Sequence, residues 1–337
     1  MNKKILSICI TSYNRPHQLE RCLRSIETSE PSSIELLVSE DCSPSKDKII
    51  EIVLSFAVTS TFAVRLNTNP TNLGYDRNFH AAISLAEGEY ILFITDDDAI
   101  LPGAVDALLK QLQTNHVDAA FTPYFDRTEG VNKRKFNGTY KIAPGIQSVA
   151  KHLYDSILLS GLVFRRSAVP EYDPQKFVGL IYSQVFVFIS ILYERGGHYL
   201  DVPLVDYIGD GENGFGKNEG ERKNELLANR KHYLSNLEYN KRLLIIVNYF
   251  DSRYMERLFD FFSKEYSLRS VTGMSYAVSF GRPALSDYWI TLRQTGLRLS
   301  VLPYIYYAFL MVLGTKYTPK VIGMPRKFFM FFRQIRK

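Results

Sequence analysis

The sequence lacks the features that mark several common classes of protein. Its three cysteines, Cys9, Cys22 and Cys42, have no zinc-type spacing, and none of its six histidines forms an HxxxH pair. The longest apolar run, 299–313, is interrupted by Pro303 and is shorter than the roughly 20 residues that span a bilayer. No glycine-rich loop follows the first apolar segment. These absences argue against a zinc module, a membrane-spanning helix and a P-loop.

Negative charge is also missing from the C-terminal part of the chain, which contains no acidic residues. The net charge is +6, but 288–337 contains nine Lys or Arg and no Asp or Glu, so the remainder carries −3. Phenylalanines alternate with Lys and Arg at 326–333, a composition that suits an anionic membrane surface. A core helix or a dimer interface is the alternative, and nothing resembles a nucleic-acid module.

The odd number of cysteines, without a secretion signal, predicts a reducing compartment. The first apolar segment, 5–10, is too short for the hydrophobic part of a signal peptide. We therefore predict a cytoplasmic protein that lies peripherally on the inner face of the cell membrane.

Strand and helix patterns alternate four times in roughly the first 115 residues. The predicted strands are 5–10, 34–39, 62–66 and 90–94. The last of them is apolar without alternation, which is typical of a strand buried on both faces of a parallel sheet. This predicts a doubly wound, mostly parallel α/β sheet, with a catalytic domain at 1–216. Long amphipathic helical patterns follow, so 217–337 is predicted to be a helical, membrane-associating extension.

Three carboxylates, Asp96, Asp97 and Asp98, follow the fourth predicted strand. Ligands of open α/β sheets bind at the carboxyl ends of the strands, and clustered carboxylates repel one another unless they share a cation. A hard divalent ion held by one or two carboxylates and by substrate phosphates suits Mg²⁺ or Mn²⁺. The alternative is a solvated acidic turn that caps the next helix.

Polar residues follow the other strands as well. Tyr13 and Asn14 could hold a base and a ribose, and Glu40 with Asp41 could accept hydrogen bonds from a pyrimidine ring or a ribose hydroxyl. A turn that opens the next helix is the alternative for the acidic pair. Arg77 would lie in the first turn of a helix, where it could face a base or a phosphate.

Four motifs in this order resemble glycosyltransferase family 2, which has the GT-A fold. They are ITSYNR at 10–15, SEDCS at 39–43, NLGYDRN at 72–78 and GEYILFITDDD at 88–98. The resemblance covers roughly 5–109, with a looser match to about 204. The short NLGYDRN form is similar to a subgroup of O-antigen sugar transferases that resemble abequosyltransferases.

The resemblance implies roles for particular residues. Asp96 and Asp98 match the DxD motif that contacts ribose and the metal–diphosphate, so both are predicted metal ligands and Asp98 is predicted to be catalytic. The residues predicted to bind the nucleotide sugar are Thr11, Tyr13, Asn14, Arg15, Glu40, Asp41, Asn72, Gly74, Arg77, Asp96 and Asp97.

The general base is harder to predict. The family's acidic pair is expected at 179–184, which reads GLIYSQ and has no carboxylate. We predict Asp210, because its glycine-rich loop, 209–216, could close over an acceptor. This loop also spells GxGxxG, but Asp210 and Glu212 would repel a pyrophosphate. A solvated linker is the alternative for the segment.

The sequence thus predicts a metal-dependent glycosyltransferase that uses Mn²⁺ or Mg²⁺. Its donor would be a nucleoside-diphosphate sugar, and its acceptor a hydroxyl of a surface glycan or of a polyprenyl-diphosphate-linked sugar. Two alternatives remain open. One is a sugar nucleotidyltransferase, and the other is a catalytically silent nucleotide-sugar-binding membrane scaffold.

Overall fold

The structure is a computed structural model that describes residues 4–210 and 232–315. The chain divides into two compact units, Met1–Lys223 and Asn224–Lys337. The boundary predicted at 216 lies outside the described residues.

The first unit combines helices with two sheets. Its helices are α1 Pro16–Arg24, α2 Lys46–Thr59, α3 Tyr75–Leu85, α4 Ala104–Thr114, α5 Ile146–His152 and α6 Ser183–Glu194. Its strands are β1 Leu6–Ser12, β2 Ile34–Glu40, β3 Ala63–Thr68, β4 Tyr90–Thr95, β5 Ala99–Ile100, β6 Ala119–Phe121, β7 Tyr124–Asp126, β8 Val131–Lys133, β9 Tyr140–Ile142, β10 Leu162–Arg165, β11 Gly197–Tyr199 and β12 Val205–Tyr207.

The main sheet has eight strands in the order β3-β2-β1-β4-β10-β6-β11-β9. The four predicted strands, β1 to β4, are mutually parallel, and β10 pairs antiparallel with β4. Thr11 on the central strand β1 lies opposite both Ser39 and Thr95. This register aligns the carboxyl ends of β1, β2 and β4, so the polar segments that follow them meet at one edge of the sheet.

Helices cover both faces of this sheet, which explains the continuous apolar strands. On one face, strand residues such as Leu92 share a buried core with Leu19 of α1 and Leu108 of α4. On the other face, Phe79 of α3 lies 4.6 Å from Phe93 of β4, measured between ring centroids. A polar side chain is costly to bury on either face of such a strand, so the sequences of these strands are apolar runs.

A second, smaller sheet has the order β5-β12-β7-β8. Its first strand, β5, begins at Ala99, directly after the three aspartates, and pairs with β12 through Val205 and Ile100. The same Val205 lies opposite Tyr124 of β7. This pairing brings the segment that follows β12 alongside Asp98.

The second unit is helical. It contains α7 Ser235–Tyr254, α8 Leu258–Ser279 and α9 Arg282–Arg293, followed by α10 at 302–315. Its core includes Met274, Leu285 and Tyr288, and Trp289 stacks on Tyr307 with ring centroids 4.9 Å apart. In the described residues, no helix has the length and apolarity needed to cross a membrane. The predicted α/β domain with a helical C-terminal region is confirmed.

Candidate active site

Asp96 joins the ends of β1 and β4. The main-chain N–H of Tyr13 donates to its Oδ2 at 3.2 Å, and Arg15 Nη1 donates to its Oδ1 at 2.9 Å. The same Arg15 nitrogen lies 3.0 Å from Asp97 Oδ2. One guanidinium therefore bridges two of the three aspartates, and it holds the polar loop after β1 against the acidic loop after β4.

Asp98 is fully buried and accepts three hydrogen bonds, two of them from distant segments of the chain. Its Oδ2 accepts hydrogen bonds from the hydroxyls of Thr95 at 2.8 Å and Ser160 at 2.6 Å, and its Oδ1 accepts a longer bond from the N–H of Ile208 at 3.3 Å. Burial raises the pKa of both Asp98 and Asp96 to about 6. Their local partners thus stabilise the two negative charges only in part.

Asp210 is held by Arg21 of α1. The guanidinium makes two hydrogen bonds to the carboxylate, at 2.6 and 2.8 Å, and its Nη2 also donates to the main-chain carbonyl of Asp97 at 2.7 Å. The hydrogen bond from Arg21 lowers the pKa of Asp210. The predicted general base is therefore tethered beside the aspartates, but its carboxylate is a weaker proton acceptor than an unpaired one.

Glu40 and Asp41 bind main-chain groups of the surrounding loops. Glu40 accepts from the N–H groups of Cys42 and Ser43 at 2.9 and 2.8 Å. Asp41 Oδ1 accepts from the N–H of Leu73 and from the Asn69 amide, both at 2.8 Å. The two carboxylates shape the loops that border the edge of the sheet.

The remaining predicted residues lie around this edge. Thr11 is half-buried near the end of β1, and Asn14 adopts φ 57° and accepts from the Ser45 hydroxyl at 2.7 Å. The loop before α3 is closed by a 2.9 Å hydrogen bond from the N–H of Gly74, at φ 77°, to the Asn72 side chain. Arg77 is half-buried and its Nε donates to the carbonyl of Leu73 at 2.7 Å.

The family resemblance implies an acidic pair at 179–184, and the main chain of this segment binds a carboxylate from another element. Asp76, in the first turn of α3, is buried and accepts from the N–H groups of Ile181 and Ser183 at 2.9 and 3.1 Å. Ser183 begins α6, so this carboxylate stabilises the positive end of that helix. Asp76 therefore contributes to the framework near this site.

Sequence reasoning missed several residues that support the site. Ser160 and Arg21 belong to no motif. Their roles depend on contacts with Asp98 and Asp210, which lie far from them in the chain. A polar network of one hydroxyl and three side-chain amides was also missed, and its members are Ser39, Asn67, Asn69 and Asn78. Two of these amides flank or belong to the NLGYDRN motif, so polar residues within that motif were the available signal.

The donor chemistry fits a hard divalent cation. Carboxylate oxygens are the ligands that Mg²⁺ and Mn²⁺ prefer, and the raised pKa values of Asp96 and Asp98 reflect buried charge that a cation would stabilise. In the part of the chain that the structure describes, no group of three or more His, Cys, Asp or Glu forms a complete metal cage. The residues fit a cation held mainly by Asp98, with water and substrate phosphates as the other ligands.

Comparison with known proteins identifies the family that this part of the chain resembles. Residues 7–169 match the family model described as Glycosyl transferase family 2. The abequosyltransferase RfbV of Salmonella typhimurium is 28% identical over 230 residues, covering 62% of this chain and 68% of that protein. A GalNAc(5)-diNAcBac-PP-undecaprenol beta-1,3-glucosyltransferase of Campylobacter jejuni is 27% identical over 133 residues, covering 40% and 42%.

Five of the curated relatives, including the Campylobacter enzyme, are matched over only 35–46% of their own length. Among solved structures, S. aureus TarS 1–349 aligns over 95% of this chain and 91% of its own, with a TM-score of 0.51 and 14% identity, which shows the fold alone. The predicted family resemblance is confirmed. This chain therefore carries a glycosyltransferase family 2 domain at residues 7–169, built on a GT-A-like sheet.

Proposed function

We propose that this protein transfers a sugar from a nucleoside-diphosphate sugar to a hydroxyl of a surface-glycan acceptor. The observation that supports it most is the meeting of Asp96, Asp97, Asp98 and Arg15 at the carboxyl edge of the parallel sheet. In such sheets this edge is the ligand site. The family of the domain at 7–169 supports the same reaction class.

The donor nucleotide would bind along the ends of β1 and β2. Tyr13 and Asn14 line one side, and Asp41 organises the loop that carries Asn72 and Gly74 on the other. Because Glu40 and Asp41 already accept main-chain hydrogen bonds, we propose that they shape the nucleotide pocket mainly by fixing these loops. Remaining carboxylate lone pairs would accept from a base or a ribose.

Asp98, with Asp96 beside it, would hold a divalent cation. When bound, such a cation stabilises the negative charge that develops on the leaving diphosphate. Arg15 contacts Asp96 and Asp97, so it keeps the loop after β1 against the acidic loop after β4. Ser160 and Thr95 fix the orientation of Asp98, which limits the rearrangement needed during the reaction.

In the reaction, the bond between the anomeric carbon and the diphosphate oxygen breaks, and the acceptor oxygen forms a new bond to that carbon. The acceptor hydroxyl must lose its proton to a base. Asp210 stays our prediction for this base. Its ion pair with Arg21 must open first, because both carboxylate oxygens accept hydrogen bonds from that guanidinium.

We further propose that the acceptor is lipid-linked and lies at an anionic membrane surface. The name of the Campylobacter relative includes PP-undecaprenol as the carrier of its acceptor. In the second unit, an apolar ridge begins just before α10, continues along it and is open to solvent. It consists of Val301, Ile305, Phe309 and Val312, which are 51–78% exposed. Arg282, Arg293 and Arg298 are exposed in the same unit. Of these, Arg282 donates to the Met311 and Val312 carbonyls of α10 at 2.9 and 3.3 Å, and an apolar ridge with a cation beside it suits an interfacial helix.

Two other functions compete with sugar transfer. A silent nucleotide-sugar binder would bind nucleotide and cation without turnover, and the absence of a carboxylate from 179–184 keeps this alternative open. A sugar nucleotidyltransferase would form a nucleotide sugar from a sugar phosphate and a nucleoside triphosphate. Product analysis separates all three functions.

The first test is a thermal-shift screen of UDP, GDP, CDP and dTDP, each with Mn²⁺ and with EDTA. We expect one nucleotide to raise the melting temperature only with Mn²⁺, because a ligand that binds the native state stabilises it. The matching nucleotide sugar is then incubated with the protein, and released nucleoside diphosphate is measured. Asp98→Asn should abolish the Mn²⁺-dependent shift, whereas Glu20→Gln, an exposed acidic residue on α1, should not. A failure of all four nucleotides would count against the proposal.

The membrane part has a separate test. Wild-type protein should sediment with phosphatidylglycerol vesicles, and a variant with Ile305→Ser and Phe309→Ser should sediment less. The matched control carries Leu54→Ser and Val58→Ser, which remove two comparably exposed apolar residues from α2 of the other unit. If both variants sediment like the wild type, α10 does not contribute to membrane binding.

A further inference from the structure

A cluster on the second sheet, which we call the tyrosine–arginine cluster, consists of Tyr124, Arg134 and Tyr207. Tyr124 begins β7, Tyr207 ends β12, and Arg134 directly follows β8. All three side chains are half-buried, so each has both a packed and an open side. None of the three belongs to a motif of the nucleotide site described above.

The three side chains form a continuous row. The rings of Tyr124 and Tyr207 meet edge to face, with centroids 5.9 Å apart. The Arg134 guanidinium carbon lies 5.4 Å from the centroid of Tyr124, and its Nη2 donates to the carbonyl of Leu158 at 2.8 Å. Arg134 also has φ 50°, a left-handed conformation that costs energy for a residue other than glycine.

One end of this row lies beside the aspartates. The residue after Tyr207 is Ile208, whose N–H donates to Asp98 at 3.3 Å. After burial, the charges of Asp98 and Asp97 are the next causes of the raised pKa of Tyr207. At the other end, Arg134 donates to the carbonyl of Ser160 at 3.4 Å. The Ser160 hydroxyl in turn donates to Asp98 at 2.6 Å, so both ends of the row of two aromatic rings and a cation border the carboxylates.

Arg134 differs from the other cations of its sheet. Arg127 pairs with Asp206, and Lys133 pairs with Glu129. Within the described ranges, by contrast, Arg134 has no carboxylate at ion-pair distance. Asp155, whose charge acts on Arg134 from beyond ion-pair distance, shares a hydrogen bond with the ring of His152. Burial lowers the pKa of Arg134, so the cation is partly desolvated without an anionic partner. A bound anion would supply that partner.

We propose that the tyrosine–arginine cluster is the acceptor subsite, in which the aromatic rings contact an acceptor sugar and Arg134 binds a phosphate attached to it. The proposal rests on the function proposed above and names the class of acceptor, a sugar linked to a phosphate or diphosphate. A planar guanidinium suits phosphate because it donates two parallel hydrogen bonds. Aromatic faces present apolar surface to a sugar ring, and the reacting hydroxyl would lie beside Asp98.

The competing explanation is that Arg134 only positions Ser160, and through it Asp98. The two explanations differ in the ligand that is affected. A positioning role would weaken nucleotide binding with Mn²⁺ when Arg134 is changed. An acceptor role would leave nucleotide binding intact and weaken binding of a phosphate-bearing acceptor.

The test measures binding of farnesyl diphosphate to the full chain by calorimetry, with EDTA present, and Mn²⁺-dependent nucleotide binding in parallel. We expect Arg134→Gln to weaken farnesyl diphosphate binding by at least about tenfold, since it removes a charge-assisted pair of hydrogen bonds. Arg134→Lys, which keeps the charge but loses the planar fork, should lie between this variant and the wild type. Lys133→Gln removes the neighbouring paired cation and should change neither affinity.

Thermal melting checks that each variant folds, and Arg134→Lys decides the result if Arg134→Gln does not fold. Wild-type protein that fails to bind farnesyl diphosphate would overturn the inference, and so would a parallel loss of nucleotide binding in the folded Arg134 variants. A wild type that binds no nucleotide at all would instead overturn the proposed function. Inorganic phosphate that competes as well as farnesyl diphosphate would show a phosphate site that does not recognise a lipid-linked acceptor and would contradict the proposed acceptor class.

Discussion

Two acidic segments follow β2 and β4, both neighbours of β1, yet their carboxylates have different partners. Glu40 and Asp41 accept hydrogen bonds from main-chain N–H groups of nearby loops. Asp98 accepts mainly from hydroxyl groups, and Asp96 is bridged to Asp97 through Arg15. Burial raises the pKa of Asp96 and Asp98 to about 6.

The difference indicates what each segment does. Burial also raises the pKa of Asp41, but fixed N–H groups of the Asn69 amide and of Leu73 occupy its Oδ1, so the segment after β2 can build loops without any ligand. A buried carboxylate that its neighbours stabilise only in part has a higher free energy as an anion. Such a group is typical of a functional site, because a bound cation can stabilise the negative charge that the protein stabilises only in part. We therefore propose that Glu40 and Asp41 act mainly by building loops, and that Asp98 acts by stabilising charge.

The largest effect is expected at the segment after β4. Asp98→Asn removes the negative charge beside the leaving group, and we expect sugar transfer to fall by on the order of 10³-fold, as it does when a preorganised electrostatic group is lost. The measurement is the rate of nucleoside diphosphate release with the matching nucleotide sugar. Asp41→Asn, at the segment after β2, should retain more activity, since an amide oxygen can still accept from Leu73. Equal losses of activity in Asp98→Asn and Asp41→Asn would contradict the proposed difference between the two segments.

A large effect on stability is expected at Asp41 instead. Asp41→Ala leaves the N–H of Leu73 and the Asn69 amide without their acceptor, and each unsatisfied buried group costs about 1–3 kcal/mol. We expect the free energy of unfolding in urea to fall by about 3 kcal/mol. Asp41→Asn, which keeps one carbonyl oxygen, should lose less. A stable Asp41→Ala variant with weak nucleotide binding would assign Asp41 to ligand contact.

The two acidic segments also differ in how much of their structure could be predicted from the sequence. The apolar runs predicted the parallel strands because burial on both faces demands apolar residues. Two of the four are shifted: β1 lies at Leu6–Ser12 where 5–10 was predicted, and β3 at Ala63–Thr68 where 62–66 was predicted. The cluster of aspartates was visible because the three residues are adjacent. In contrast, Glu40 and Asp41 allowed either a turn or a ligand contact, and the choice depends on the position of Leu73 and Asn69 in space.

Contacts between distant residues were the part that the sequence did not reveal. Ser160 binds Asp98 across 62 positions, and Arg21 binds Asp210 across 189. The strands of the second sheet are two or three residues long, so they carry too little periodicity to be predicted. The tyrosine–arginine cluster depends on the pairing of those strands, and for this reason no motif pointed to it.

At neutral pH, the stability change at Asp98 should have the opposite sign to that at Asp41. A pKa raised from 3.8 to about 6 means that the buried anion costs the native state about 3 kcal/mol above pH 6, and that this cost is absent below about pH 4, where the carboxyl is protonated in both states. With EDTA present, Asp98→Asn should therefore be more stable than the wild type at pH 7 by about 2 kcal/mol. Urea unfolding at pH 4 and pH 7 measures this, and the two proteins should converge at pH 4. Destabilisation by Asp98→Asn at pH 7 would mean that its hydrogen bonds outweigh the cost of the charge.

The smallest effect on stability is expected at the pair of Arg21 and Asp210, which is 36% and 46% exposed. Arg21→Gln should change the free energy of unfolding by less than about 1 kcal/mol, because water screens an exposed pair. Its informative effect is on the pH profile of sugar transfer. Arg21 lowers the pKa of Asp210, so removing it raises that pKa, and a base that must be deprotonated then loses activity at a higher pH. If Asp210 is the base, the acidic limb of the profile moves to higher pH in Arg21→Gln and the activity is lost in Asp210→Asn. An unmoved limb, together with an active Asp210→Asn variant, would limit Asp210 to anchoring its loop beside Asp97.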